Sequence, residues 1–387
     1  MFFIASFLIN TAVLWVFYQW AISAFPWLGR RRRGVATALG ILWVEQMAVG
    51  WIATSSHGRF GDELHTMGSI LLMAMGIAAG PIMLLRGLSW AVGLAGRKAN
   101  AQTTDIDDGP VTRRQIVEGA GGLVVLGASG AVLGWGAARG RDMFELSEVV
   151  VRIPGLARAL DGYSIAQISD LHVGLHMAER DLDAGLDLVR KARPDLIVVT
   201  GDIIDMDPRF TPFAARKLME LPARDGVSAI LGNHDHYAGA SAVGGVLRAA
   251  GVDLLVNQGR LVRPRDSGGF ALLGVDDRWS QRHGGPGARL DQALSMVPPD
   301  VPRILLSHQP PTIELWPGQV ALQLSGHTHG GQINPGFRPA DLFFRYVAGR
   351  YEVGGTTLYV NRGFGTVGPP SRVGAPPEVT RFVLVAA

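Results

Sequence analysis

Two hydrophobic patterns divide the chain. Residues 1 to about 25 (MFFIASFLINTAVLWVFYQWAISAF) carry no charged side chain, and about 20 apolar residues at a rise of ~1.5 Å cross a hydrocarbon core. Further apolar stretches fill 35–54, with Glu45 inside it, 67–85, which contains Pro81 and ends at Arg86, and the glycine-rich 119–138. About four transmembrane helices, near 3–25, 35–54, 67–85 and 119–138, are therefore expected within a membrane region 1–140. A secretory signal peptide would place its basic residues ahead of the apolar run, whereas Arg30, Arg31, Arg32 and Arg33 follow it. From about 150 onward the pattern shortens. Apolar runs at 163–169, 195–200, 227–231, 303–307 and 320–325 have the length of buried strands. Between the first two, Leu182, Leu186 and Val189 recur at helical spacing in 178–192, and 241–250 suits another helix. Strands alternating with helices predict an α/β domain over 141–387.

Composition agrees with this division. Of 387 residues 48% are hydrophobic and only 18% charged, against roughly 25% charged in ordinary soluble domains. The absence of cysteine excludes disulfides, thiolate metal sites and cysteine nucleophiles. A pI near 9.4 would ordinarily suggest a nucleic-acid partner. Residues 1–140, however, hold 11 Lys and Arg against 7 Asp and Glu, while the remainder holds 25 against 26. The excess belongs to the membrane region, so no nucleic-acid partner is expected.

Basic residues also predict orientation, because short cytoplasmic loops collect them. Arg30 to Arg33 form one cluster, and Arg86, Arg97, Lys98, Arg113 and Arg114 a second, whereas only Arg59 lies between the second and third spans. That pattern places the C-terminal domain outside the cytoplasm. Arg139 and Arg141 oppose it, with Asp142, Glu145 and Glu148 beside them. Two local features each carry two readings. Glu45 marks an ion pathway or partner contact, or else a bundle-facing, hydrogen-bonded residue. Thr112-Arg113-Arg114-Gln115-Ile116-Val117 resembles a twin-arginine export signal, or else supplies two ordinary anchors at a span end.

Each strand-like run ends in potential metal ligands: Asp170-Leu171-His172, Gly201-Asp202, Gly232-Asn233-His234-Asp235, Ser307-His308 and Gly326-His327-Thr328-His329. Strand ends of α/β sheets form the crevice where ligands bind. Imidazole, carboxylate and amide oxygen without sulfur suit Mn, Fe, Zn or similar divalent ions. An extended Asp170-x-His172 would point both side chains the same way, while glycines around His327-x-His329 let a turn send its rings to different ions. Asp202 is the natural bridge, since a carboxylate offers two oxygens to ions roughly 3.5–4 Å apart. Two such ions attract phosphate oxygens and acidify water, which points to in-line attack on phosphorus.

At these motifs, D-x-H, G-D, G-N-H-D, a lone H and G-H-x-H, the chain resembles the calcineurin-like metallophosphoesterases, over roughly 160–335. The resemblance implies two facing mixed β-sheets flanked by helices and two divalent ions. One would be held by Asp170, His172, Asp202 and His329, the other by Asp202, Asn233, His308 and His327. It also implies that His234 faces the substrate, stabilising charge on phosphorus or protonating the leaving oxygen, with Asp235 orienting its ring. Within the family the tethered domain and the Asn361-Arg-Gly-Phe-Gly tail with Arg372 are similar to bacterial membrane-associated members.

The expected protein is thus a metal-dependent phosphoric ester hydrolase in a bacterial inner or cell membrane. Its catalytic domain would lie on the periplasmic or extracellular side and act on a phosphorylated substrate, free or lipid-linked. Arg362 or Arg372 would clamp a phosphate in a bidentate fork, or else be surface arginines. His176 and His236 are expected at the rim or behind the ligands. Phe337, Leu342, Phe343 and Phe344 in 335–351 would dip into the bilayer interface or form a buried loop core. The alternatives are a UDP-diacylglucosamine pyrophosphatase of lipid A synthesis, against which stand His234 where the well-known enzymes carry arginine and the outward orientation, and a non-catalytic phosphate-binding receptor.

Overall fold

The computed structural model describes residues 2–52, 59–97, 111–174, 176, 177, 179–264 and 268–387. The chain divides into two compact units, Met1–Trp135 and Gly136–Ala387. The first contains helices α1 (Phe2–Ala24), α2 (Pro26–Arg30), α3 (Arg32–Ile52), α4 (Arg59–Arg97) and most of α5 (Arg113–Ala138). Among the described residues three stretches, Phe7–Ala24, Thr66–Val92 and Arg113–Asp142, are long and apolar enough to cross a membrane. The expected second span is helical as α3 but is not one of these three, and its residues 53 and 54, like Lys98 of the expected basic loop, lie outside the described residues.

The helix holding the third apolar stretch continues past Arg86: α4 runs unbroken through Pro81 to Arg97. The fourth starts earlier than expected, at Arg113, because Thr112 and Gln115 cap it reciprocally. The Thr112 amide donates to Gln115 Oε1 at 2.9 Å and the Gln115 amide to Thr112 Oγ1 at 3.2 Å, a pairing that satisfies donors the first turn leaves open. Arg114 donates to buried Glu118 at 2.7 Å, and Ser89 hydrogen-bonds the same carboxylate. Glu45 accepts a hydrogen bond from Gln46, which in turn accepts one from Ser69. Leu14, Phe17 and Trp20 of α1 pack on Leu72, Met75 and Ile82 of α4.

In chain order the second unit contains β1 (Glu145–Ile153), β2 (Ser164–Ile168), α6 (Glu179–Ala192), β3 (Leu196–Thr200), α7 (Thr211–Met219), β4 (Val227–Ile230), α8 (Asn233–Tyr237), α9 (Ala240–Ala250), β5 (Asp253–Leu254), β6 (Gln258–Val262), β7 (Phe270–Gly274), α10 (Leu290–Ser295), β8 (Arg303–Leu306), β9 (Leu322–Ser325), β10 (Gly349–Val353), β11 (Thr356–Val360) and β12 (Glu378–Ala386). They build two six-stranded mixed sheets, β1-β12-β2-β3-β4-β5 and β10-β11-β9-β8-β7-β6. All five expected strands are present, as β2, β3, β4, β8 and β9.

Period-two alternation explains how the sheets face each other. Ile165, Leu196, Val198 and Ile230 of the first sheet meet Phe270, Leu272, Ile304, Leu306 and Leu324 of the second. The neighbours of these residues point outward: Ala166, Ile197 and Val199 pack under Leu182, Leu186, Leu218 and Leu247 of the flanking helices, and Ala271, Leu273 and Leu305 under Leu290 and Ala293 of α10. Burying each large apolar side chain stabilises by roughly 1.5–3 kcal/mol. In α6, acids Glu179 and Asp181 open the helix and Arg190 and Lys191 close it, matching the helix dipole.

Candidate metal centre

The ligand-bearing loops leave the ends of β2, β3, β4, β8 and β9, so the centre draws on both sheets. Within it the predicted ligands separate into two groups. Asp170, His172 and His329 converge in one, and Asp202, His308 and His327 in the other. In the first, His172 Nε2 lies 3.1 Å from His329 Nε2, and His329 Nε2 3.6 Å from Asp170 Oδ1. In the second, His308 Nε2 stands 3.2 Å from both His327 Nδ1 and Asp202 Oδ2. His327 and His329 are thus sent to different groups, as the intervening turn predicted.

The backbone accomplishes this differently from the expectation for Asp170-x-His172. That segment is not extended. Asp170, His172, Asp202, His327 and His329 all hold left-handed φ values, 50°, 45°, 51°, 74° and 50°. Non-glycine residues there cost about 1–3 kcal/mol each and persist where surrounding structure imposes them. Gly232 and Gly326 make the close approach possible: a Cβ on Gly232 would strike Asp202, and one on Gly326 would strike Ser169 and Asp170.

Asp202 joins the two groups through one oxygen. Its Oδ1 accepts the His234 amide at 2.8 Å, leaving Oδ2 3.2 Å from His308 and 3.6 Å from His172. Asp170 holds the other turn by accepting the His327 amide at 3.0 Å. His308 Nδ1 donates to the Thr200 carbonyl at 2.8 Å, which turns Nε2 toward the centre.

Electrostatics fit a cation. Burial and the neighbouring His308 push His327 down to about 3, and burial together with His172 and Arg372 holds His329 well below the usual imidazole range. Metal ligation requires neutral imidazoles of this kind. Burial opposes charge on both Asp202 and His308, yet their mutual attraction outweighs it, lowering the carboxyl and raising the imidazole. A divalent ion would take the place of that proton. Asn233 Oδ1 is buried without a hydrogen-bond partner among the described residues, the state expected of an amide oxygen reserved for an ion. The donor set of imidazole, carboxylate and amide oxygen therefore fits divalent metal.

The environment of His234 departs from expectation. Its Nδ1 lies 3.0 Å from Asp205 Oδ1, a residue absent from the predicted site. Asp235 does not orient the ring: its carboxylate accepts the amides of Gly232, Ile203 and Ile204 and so ties the Asp202 loop to the Asn233 loop. Because it is consumed by backbone amides it has no free oxygen for an imidazole. Burial opposes a charged His234 ring, but Asp202 and Asp205 outweigh it and push the ring up to about 9. Spacing held the missed signal, a carboxylate three residues beyond Asp202 in the same loop.

Neither Arg362 nor Arg372 is a surface residue with a fork open to phosphate, which corrects both readings of these arginines. Arg372 is 1% exposed and donates to the carbonyls of Gly365, Ala375, Arg362 and Gly363, with Nη2 3.2 Å from His329 Nδ1. Arg362 is taken by Glu378 and Glu145 at 3.0 and 2.9 Å. An arginine that does line the cleft beside the centre is Arg141. It shares that cleft with His172, His176, Asp181, Asp205 and Gly365, its Nη2 3.7 Å from Asp181 Oδ2 and its Nε without a hydrogen-bond partner. His176 is thus at the cleft, whereas His236 is buried against Asp276 at 2.8 Å.

Residues 163–331 match the family model described as calcineurin-like phosphoesterase. The chain is 34% identical over 284 residues to the uncharacterized metallophosphoesterase YkuE of Bacillus subtilis, an alignment covering 71% of this chain and 98% of that one. It is 35% identical to an uncharacterized metallophosphoesterase of Campylobacter jejuni, over 61% of this chain and 62% of that protein. A bovine transmembrane protein with metallophosphoesterase domain is 32% identical over 62% of this chain and 57% of its own length. The chain thus spans less than two thirds of the Campylobacter and bovine proteins but nearly all of YkuE. With the ordered ligand motifs folded into two convergent groups and a relative matched almost end to end, the chain belongs to the calcineurin-like metallophosphoesterases, a family of metal-dependent phosphoric ester hydrolases.

Proposed function

We propose that the protein is a membrane-held phosphoesterase that hydrolyses a phosphodiester, phosphomonoester or pyrophosphate bond in a lipid or lipid-linked substrate, with its catalytic domain on the periplasmic or extracellular face. The observation that carries the chemistry is the meeting of two ligand groups at Asp202 Oδ2, with His234 held beside them. Asp170, His172, Asp202 and His329 would hold one divalent ion and Asp202, Asn233, His308 and His327 the other, Mn, Fe, Zn or similar. When bound, such ions supply Lewis acidity that draws phosphate oxygens in and acidifies water. His234 contributes a donor that stabilises negative charge on phosphorus or protonates the leaving oxygen. Asp205 fixes that ring, and Arg141 supplies a cation in the adjoining cleft.

Chain connectivity supports a substrate at the bilayer. Arg141 follows Ala138, the last residue of α5, by three positions, and at ~3.5 Å per residue it lies within about 10 Å of that helix end.

Purified full-length protein in detergent, stripped by chelator and reloaded with Mn, should hydrolyse bis-p-nitrophenyl phosphate, and inactivity with every divalent ion would overturn the enzymatic reading. Lipid extracts of a strain lacking the protein should accumulate a phosphorylated lipid. An unchanged profile would remove the lipid substrate while leaving the chemistry intact.

A further inference from the structure

The segment that follows the two ligand histidines presents large apolar side chains to solvent. Phe337 is 65% exposed, Leu342 79%, Phe343 82% and Phe344 47%, which removes the reading of these residues as a buried loop core. Pro339–Leu342 forms a single 3-10 turn, and the Arg338 side chain bonds Asp341 at 2.7 Å, so the tip has internal structure. Its base is fastened to the catalytic turn. Thr328, the residue between His327 and His329, donates its hydroxyl to the Val347 carbonyl at 2.6 Å. Further along, Arg345 and Tyr346 both bond Glu314 at 3.0 Å. The apolar tip is therefore a shaped projection joined to the ligand histidines, not a loose connection.

We propose that this tip, Phe337 to Phe344, seats in the interfacial layer of a lipid bilayer and holds the mouth of the metal centre at headgroup depth. The inference rests on the reading that the enzyme works at the bilayer. A row of exposed phenylalanine and leucine is costly in water and suits the headgroup and acyl boundary. The occupant is argued from the chain itself, because its apolar helices keep a bilayer at permanently high local concentration beside the domain. The arginines of 335–351 are each paired to a carboxylate, Arg338 to Asp341, Arg345 to Glu314 and Arg350 to Glu352, so the apolar side chains, not a free charge, are what the tip offers a bilayer.

The lack of cysteine makes the test direct. Phe343→Cys in the full chain, labelled with an environment-sensitive fluorophore and reconstituted in phosphatidylglycerol-containing vesicles, should shift to the blue and be quenched by lipids spin-labelled near the headgroup. Gln292→Cys, on the exposed side of α10, should be quenched by aqueous iodide instead. Iodide quenching of position 343 as strong as that of position 292 overturns the proposal. So does protection from both quenchers together with 343-to-343 cross-linking, which would assign the surface to a second copy. In a second arm, the Leu342→Ser/Phe343→Ser variant should hydrolyse soluble bis-p-nitrophenyl phosphate at the unaltered rate but lose about tenfold on a phospholipid in vesicles. Lipid quenching without any lipid hydrolysis would leave this inference standing and overturn the proposed substrate class alone.

Discussion

Asp205 Oδ1 lies 3.0 Å from His234 Nδ1 and 3.6 Å from His172 Nδ1, so one carboxylate oxygen braces both the ring proposed to act on substrate and a predicted metal ligand. Burial alone would raise Asp205, but the two neighbouring imidazoles, His172 and His234, hold it well below the usual carboxylate range. It is therefore an anion throughout the working pH range.

Asp205→Asn keeps the shape and removes the charge. Partners of this kind typically alter activity by about 10–100-fold, and a loss of that size in kcat with little change in KM is expected. If His234 protonates the leaving oxygen, the loss should be larger for an alkyl phosphodiester than for a nitrophenyl one, whose leaving group needs no proton. Steady-state kinetics on both substrates check this, and rates within twofold of the unaltered protein would show that Asp205 does not act through His234.

The contrast between Asp205 and Asp235 shows what was legible in the sequence. Ligands at the ends of β2, β3, β4, β8 and β9 were readable because an apolar run followed by a polar ligand has a local signature. Asp235 was readable as part of its motif, but its role was not: whether a carboxylate faces an imidazole or three amides depends on how the loops from β3 and β4 pack. The parallel pairing of β1 with β12, Glu145 opposite Glu378, joins the two ends of the domain, and no local periodicity reports such a partner. Arg141 was visible only as a charge at a span end. The left-handed backbone at five ligands was hidden for a related reason, since aspartate and histidine tolerate that region better than most residues but adopt it only where surrounding packing imposes it.

Arg372 is predicted to maintain the centre and not to bind substrate. Its guanidinium bonds five carbonyls, that of His329 among them, a planar fork that an ammonium cannot reproduce. Arg372→Lys should weaken metal retention by about 10–100-fold, as loss of groups supporting a ligand does. Metal content measured by mass spectrometry after graded dialysis against chelator reads this directly. Full metal occupancy with a raised KM would instead restore Arg372 as a phosphate clamp.

Arg362 and Glu378 predict an acid-sensitive element of stability. Burial opposes charge on Glu378, but Arg362, the Tyr359 hydroxyl and the Arg362 amide outweigh it and hold the carboxyl below its ordinary value. A folded pKa lower than the unfolded one means that the contribution is present above the unfolded value of about 4.3 and disappears as pH falls through the folded value. Thermal unfolding of Glu378→Gln should accordingly depend less on pH below about 5. Arg362→Ala leaves the carboxylate buried and unpaired, a loss of about 3 kcal/mol, while KM for a soluble diester stays unchanged. A shifted KM without loss of stability would reverse that assignment.

The side of the membrane on which the domain lies decides which substrates it can meet. Arg30 to Arg33 and the basic residues from Arg86 to Arg114 favour an outward domain, whereas Arg139 and Arg141 count the other way. In the structure Arg141 contacts Asp142 and Asp181 at 3.5 and 3.7 Å and lines the cleft, so its charge is employed within the domain. With no other cysteine in the chain, Gln292→Cys should react with a membrane-impermeant maleimide in intact spheroplasts. Labelling only after lysis would put the domain in the cytoplasm and return nucleotide-linked pyrophosphates to the range of accessible substrates.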